Sequence, residues 1–322
     1  MKIKLFLILM FLTIGNAFAD CGYVLSVPTF SYGLGATNPT MQGTFTLTRT
    51  KNGGPKCDTY FVAFTTGWSN DLNNRRLTNT STSNAFLYYN LYKNSNSTGI
   101  LKDANGTITS PNEVLFGSIE RDQTVTLNYY FTLAPTNAGI PPRAGVFEDH
   151  VNVQVYQGSY LPNGNYGLED NKILNLYVNV ATSIAISLVD TNAPHNSAQT
   201  SKTLDFGALE ENEEMSFDVR LVSNTPHILY VSSVNNGKMK RVGGNGSGSA
   251  ANAEIAYEFY GNNSSSPTWL GSSSSNNVGL LWNYDSTPAG GTRYPVRIKI
   301  KSVTNKTPGD YQDSLTLSVV SQ

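Results

Sequence analysis

The sequence predicts an all-β protein built from two successive β-domains, and three observations predict it. Runs of Val, Ile, Tyr, Phe and Thr alternate with polar residues, most clearly in "TVTLNYYFTL" (124–133) and "HVNVQVY" (150–156). Such alternation gives a strand one buried and one solvated face. Gly, Asn and Pro clusters separate the runs, and few segments carry the periodicity of an amphipathic helix. Paired landmarks then recur in the same order along a chain of 322 residues, which is long for a single domain.

The landmarks are three. Tyr32-Gly33 matches Phe206-Gly207, each after a short strand; "YNLYKN" (89–94) matches "YEFYGN" (257–262). Gly145-x-Phe147-x-Asp149 matches Gly309-x-Tyr311-x-Asp313, each opening an alternating strand. Their separations drift slowly, as they would if loops differed in length between two copies.

Taken in order, the chain first shows Lys2 and Lys4, the apolar run "LFLILMFLTI" and the small-x-small site Ala17-Phe18-Ala19. Residues 1–19 therefore read as a signal peptide, too short to span a bilayer. The strands of the first copy (20–182) fall near 22–32, 43–50, 58–66, 86–93, 123–133, 146–156 and 172–182. Seven short strands with turns between them suggest an immunoglobulin-like sandwich. The second copy (183–322) begins inside "YVNVATSIAISLV", with no Pro/Gly linker. Its strands fall near 183–189, 215–223, 227–234, 254–260, 293–303 and 310–320, which is one fewer. The "GGNGSGSAAN" and "NNSSSPTWLGSSSSNN" stretches read as loops.

Charge and chemistry narrow the function. The formal net charge is −1 with no basic run, which argues against nucleic acid as a partner. The two cysteines, Cys21 and Cys57, read in an exported chain as one structural disulfide, with neither a CxxC nor further ligands to suggest a metal. His150, His195 and His227 are scattered, and no nucleophile elbow, HExxH pair or phosphate loop is present. "EENEE" (210–214) reads as a solvated turn, and Asp149 and Asp313 as acceptors for turn amides. The expectation is a protein that is no enzyme and uses neither metal nor cofactor.

The unequal strand count carries more. A sandwich lacking its seventh strand leaves a core edge uncovered, here along Tyr311, Leu315, Leu317 and Val319. At ~1.5–3 kcal/mol per apolar side chain, four or five such positions forgo roughly 6–15 kcal/mol of burial. The expected remedy is a strand donated by another chain, a form of β-augmentation.

The Cys near the mature start, Tyr32-Gly33, the Tyr-x-Leu-Tyr motif and the closing Gly-x-Tyr-x-Asp strand together resemble the spore-coat-U-like domain, which builds the pili of archaic (Csu-type) chaperone–usher systems. The resemblance covers both copies, the second without the cysteine pair. It implies a periplasmic chaperone, an outer-membrane usher and a strand-donating pilin neighbour as partners, with display at the cell surface. Polymerising subunits of such systems carry an N-terminal donor segment. Here only Asp20 separates the expected cleavage site from Cys21, so the resemblance implies a tip adhesin that accepts a strand and gives none.

The loops expected at the distal end are 51–57, 94–122 and 157–171. Tyr160, Leu161, Pro162, Tyr166 and Leu168 in the last, and Ile100, Leu101 and Ile108 in the middle one, are apolar residues outside any strand pattern. Such loop residues either meet a surface, abiotic or host, or fold back over the sandwich. Trp68 is expected to pack at the end nearest the second copy. Competing readings are a carbohydrate-binding sandwich with Trp68, Trp269 and tyrosines as sugar platforms, an exported hydrolase, or a spore or surface coat component.

Overall fold

The structure is a computed structural model that describes residues 20–34, 40–104, 108–134, 142–160, 166–243, 252–261, 264–267, 280–282, 287 and 290–321, with the backbone alone at 280–282. The expected signal peptide, residues 1–19, lies outside the described residues. Among the described residues every regular element is a strand or a short 3-10 turn.

Ten strands make the first body: β1 (Tyr23–Ser26), β2 (Phe30–Leu34), β3 (Met41–Arg49), β4 (Thr59–Phe64), β5 (Arg75–Asn79), β6 (Thr82–Tyr92), β7 (Leu115–Ser118), β8 (Thr124–Leu133), β9 (Gly145–Gln157) and β10 (Gly167–Val180). They run β1-β3-β8-β6-β5-β9-β10-β2, with β4 joining β7 to β9. The path folds over one core in which Phe45, Leu47, Tyr89 and Phe131 meet Phe64, Val151, Val153, Leu174 and Leu176. A disulfide joins Cys21 to Cys57 across a sequence separation of 36 residues. Loop closure of that length stabilises by about 4 kcal/mol in the chain-entropy account.

Seven strands were expected here, and the differences have local causes. The 22–32 run breaks at Pro28, which has no N–H to give a ladder. β5 escapes the apolar pattern because two of its three inward residues, Arg75 and Asn79, are polar and only Leu77 between them is apolar. The Arg75 guanidinium is fully buried and donates to the carbonyls of Phe64, Thr65 and Leu101. β10 lies antiparallel to β9 and parallel to β2, a pairing that a plain antiparallel sandwich does not contain.

The second body comprises β11 (Ile184–Val189), β12 (Glu214–Ser223), β13 (His227–Ser233), β14 (Lys238–Arg241), β15 (Glu254–Gly261), β16 (Leu280–Trp282), β17 (Thr292–Ile300), β18 (Tyr311–Gln312) and β19 (Leu315–Ser321). One sheet is β11-β12-β17-β15-β14-β18 and the other is β16-β13-β19. Six strands were expected. β14 and β16 arise in stretches without an alternating pattern, and the last run divides so that β18 and β19 serve opposite sheets.

The repeat read from sequence has a physical basis. Tyr89 donates its hydroxyl to Asp149 Oδ2 at 2.6 Å, and Tyr257 donates to Asp313 Oδ2 at 2.5 Å. Each carboxylate's other oxygen accepts two backbone amides: Trp68 and His150 for Asp149, Asn235 and Ser314 for Asp313. Gly145 (φ 125°) and Gly309 (φ 148°) open these strands in backbone that L side chains avoid. A Cβ there would stand 2.8 Å from Asn79 Nδ2 and 2.5 Å from Arg241 Nε.

Three residues, 181–183, connect β10 to β11, and Asn224 clamps them. Its Nδ2 donates to Ala181 O, its Oδ1 accepts from Ser183 N, its N–H donates to Ser183 O, and its carbonyl accepts from Ala144 N.

Candidate functional site: an uncovered strand position and the distal loops

The two bodies differ at the place β10 occupies. In the first, β10 fills the space between β9 and β2 and turns Leu174, Leu176, Val178 and Val180 into the core. Beside it, Phe147, Asp149, Val151, Val153 and Val155 of β9 are all buried. By the repeat, the matching residues of the second body are Tyr311, Asp313, Leu315, Leu317 and Val319, and all five are only partly buried. The partner of β2 is the segment carrying Leu204 and Phe206, also partly buried.

Among the described residues no strand lies between these two edges; β19 pairs with β13 alone. A groove of about 490 Å³ takes the place of a strand, lined by Leu204, Phe206, Phe217, Met239, Tyr311 and Leu317 among others. A second cavity of about 400 Å³ continues it past Leu209 and Val303. Missing apolar cover on this scale is the expected consequence of an absent strand. Burial raises the Tyr257 hydroxyl well above the ordinary phenol range, so it stays a donor to Asp313 at the groove floor.

The loops expected at the distal end divide between exposed and folded back. Leu168 lies in β10 and is 52% exposed, and Tyr166 is 37% exposed. Tyr166 stands edge-on to both Phe61 and Tyr156, whose rings stack at 4.9 Å. Tyr160 packs on this same cluster and meets Phe116 at 4.8 Å between ring centres. Ile108 joins from the neighbouring loop. Leu161 and Pro162 lie outside the described residues.

Leu101 corrects the sequence reading: it is 0% exposed and belongs to the main core. Its N–H donates to Leu91 O while its carbonyl accepts from Arg75, so the loop is tied down at this point. Ile100, bridged to Tyr92, is half-buried rather than at a loop tip. Phe61, Tyr156 and Phe116 were not among the residues singled out. A signal existed in "TYFVAF", where β4 departs from alternation because both its faces are covered.

The histidines hold structure. His227 lies between Thr225 O and the Tyr294 hydroxyl, and His195 Nδ1 meets the buried Ser187 hydroxyl at 2.9 Å. His150 stacks on Trp68 at 4.7 Å. Trp68 was expected to take a packing role; the residue stacks on His150 yet is 49% exposed.

No curated protein matches the sequence. Among solved structures, a chain of the CsuC–CsuE chaperone–tip adhesion subunit pre-assembly complex of Acinetobacter baumannii is 16% identical with a TM-score of 0.38, covering 92% of this chain and 99% of that one. CfaE, the adhesive subunit of CFA/I fimbria of enterotoxigenic Escherichia coli, is 12% identical with a TM-score of 0.38, covering 91% and 92%. The CupB6 tip adhesin of Pseudomonas aeruginosa is 6% identical with a TM-score of 0.40, covering 93% and 95%. The family model of the Spore Coat Protein U domain matches residues 13–154, from ahead of β1 to within β9.

Proposed function

We propose that this chain is an adhesive tip subunit of a chaperone–usher pilus, accepting a strand from a neighbouring pilin through residues 183–322 and meeting a surface through residues 20–182. The observation that carries the reading is the contrast between β9, buried against β10, and its half-buried counterpart along β18 and β19. The match of the Spore Coat Protein U domain model to residues 13–154 supports the same reading.

β10 supplies the template for the donated strand. It would run antiparallel to β19 and parallel to the Leu204–Phe206 segment. Apolar residues at alternate positions would stand in for Leu174, Leu176, Val178 and Val180, whose counterparts across the groove are Leu315, Asp313, Tyr311 and Gly309. Burying four such side chains contributes about 6–12 kcal/mol before ordering costs. A domain whose total stability is ~5–15 kcal/mol would depend on that contribution. Until assembly, a periplasmic chaperone would cover the groove, and an outer-membrane usher would pass the subunit to the cell surface after removal of residues 1–19. Attachment, and with it biofilm formation, would rest on contact rather than covalent chemistry.

Contact would be made by the apolar residues of the 157–171 loop, namely the exposed Tyr166 and Leu168 together with Tyr160, Leu161 and Pro162. In the assembled pilus, the combined Tyr160→Ser, Tyr166→Ser and Leu168→Ser variant is expected to attach several-fold less to apolar and host-cell surfaces at unchanged pilus yield. Attachment at the parental level, with the same number of pili, would remove these loops from the reading.

A further inference from the structure

We infer that β1 is a strand this chain can donate to the groove of a second copy, and that the Cys21–Cys57 bond is what holds it in its own body. The inference rests on the proposed reading of that groove as a vacant strand position.

The match lies in the residues. Cys21, Tyr23 and Leu25 are buried and Val27 is packed against the core, while Val24 among them is 48% exposed. These four inward positions at alternate residues repeat the spacing of Leu174, Leu176, Val178 and Val180, a span of about 20 Å in an extended strand. Laid in the same register, they would face Leu315, Asp313, Tyr311 and Gly309. The direction fits as well. The second body follows β10 after residues 181–183, and β2 follows β1 after Val27, Pro28 and Thr29. The donor's own first body would therefore emerge where the next subunit has to stand.

The backbone alone holds β1 lightly. Among the described residues it has one ladder, the four-residue pairing with β3. On its other edge the Cys21 and Leu25 amides each donate at 2.9 Å to a side-chain carboxylate, those of Glu169 and Asp170, rather than to a strand. Pro28 breaks the run toward β2. The Tyr23 hydroxyl, near Cys57 O and Thr59 O, adds a hydrogen bond. A terminal strand held in this way suits exchange between copies. The covalent tie prevents it, because the disulfide joins the residue ahead of β1 to the turn ahead of β4 and both cysteines are fully buried. The tie forms when the two thiols reduce a protein disulfide to a dithiol, passing it their two electrons and two protons; a dithiol reductant reverses the exchange. The oxidised chain then accepts a strand and gives none, whereas the reduced chain does both.

The test compares the full-length exported chain with its Cys21→Ala, Cys57→Ala double variant, at matched concentration, by analytical ultracentrifugation. The parent is expected to stay monomeric, and the variant to form head-to-tail multimers of at least about threefold higher mean mass. Adding Leu25→Asp to the variant, or filling its groove with a strand fused after Gln322, should return it to monomer. A second measurement decides even if the variant misfolds: a peptide of residues 20–28 carrying Cys21→Ala, added to the oxidised parent, should raise the unfolding temperature of the second body. The same peptide with Leu25→Asp should not. A variant as monomeric as the parent, multimers that survive Leu25→Asp or a filled groove, or a peptide without effect would each overturn the inference. A fused strand that leaves the second body unstabilised would instead refute the vacant-strand reading, and this inference with it.

Discussion

Removing one hydroxyl from each Tyr–Asp pair should cost the two bodies different amounts. In Tyr89→Phe, Asp149 Oδ2 loses the hydroxyl at 2.6 Å, its one hydrogen-bond partner among the described residues, inside a fully buried site. A hydrogen bond to a charged group is worth about 1.5–3 kcal/mol, and the buried oxygen left behind keeps the loss near the upper end. In Tyr257→Phe, Asp313 Oδ2 retains the Ser233 hydroxyl at 2.5 Å and stands at the half-open groove, so about 0.5–1.5 kcal/mol is expected. The three tryptophans make the transitions separable, because Trp68 is in the first body while Trp269 and Trp282 are in the second. Urea unfolding would be followed in one background retaining Trp68 and another retaining the other two. With a slope of roughly 2 kcal/mol per molar, Tyr89→Phe should lower the first midpoint by about 1.5 M and Tyr257→Phe the second by about a third of that. A Tyr89→Phe midpoint equal to the parent's, or a larger loss from Tyr257→Phe, would refute the reasoning.

Two further outcomes follow from the same interactions. Asn224→Ala deletes both side-chain hydrogen bonds to the 181–183 connection, and small-angle scattering should then show a wider spread of distances between the bodies; a superimposable profile would count against the clamp. Burial raises the Tyr23, Tyr89, Tyr129 and Tyr257 hydroxyls above the ordinary phenol value of about 10, so the folded protein holds these protons more tightly than the unfolded chain does. Their contribution to stability is complete below about pH 10 and is lost as pH rises through the folded values. The urea midpoint should therefore hold up to about pH 10 and fall as the pH rises beyond it, and a constant midpoint between about pH 10 and pH 11.5 would contradict it.

Much of this architecture is legible in the amino-acid order because it rests on local repetition. Gly145 and Gly309, Tyr89 and Tyr257, and Asp149 and Asp313 answer the same geometric demands twice, and Cys21 and Cys57 have only each other. What escaped depends on distant partners. β5 hides behind Arg75, whose burial makes sense only once the carbonyls of Phe64, Thr65 and Leu101 surround it. Leu101 sits in a polar loop, and nothing within ten residues reveals that Arg75 and Leu91 draw it into the core. Tyr160 and Ile108 follow the same logic: their shelter is the outward face of β4, presented by Phe61 and Ala63. The parallel pairing of β10 with β2 joins residues nearly a chain-half apart and leaves no periodic trace.

The account turns on whether the space beside β19 is a vacant strand position, and one fusion tests it. The β10 sequence "KILNLYVNV" would be joined by a flexible linker after Gln322, and the unfolding of the second body compared with and without it. The predicted result is a gain of at least about 2 kcal/mol, the surplus of apolar burial over chain ordering. That gain should vanish when the residues copied from Leu174 and Leu176 are replaced by Asp. An unchanged transition, or an equal gain from the Asp-bearing strand, would contradict the claim that this groove receives a strand.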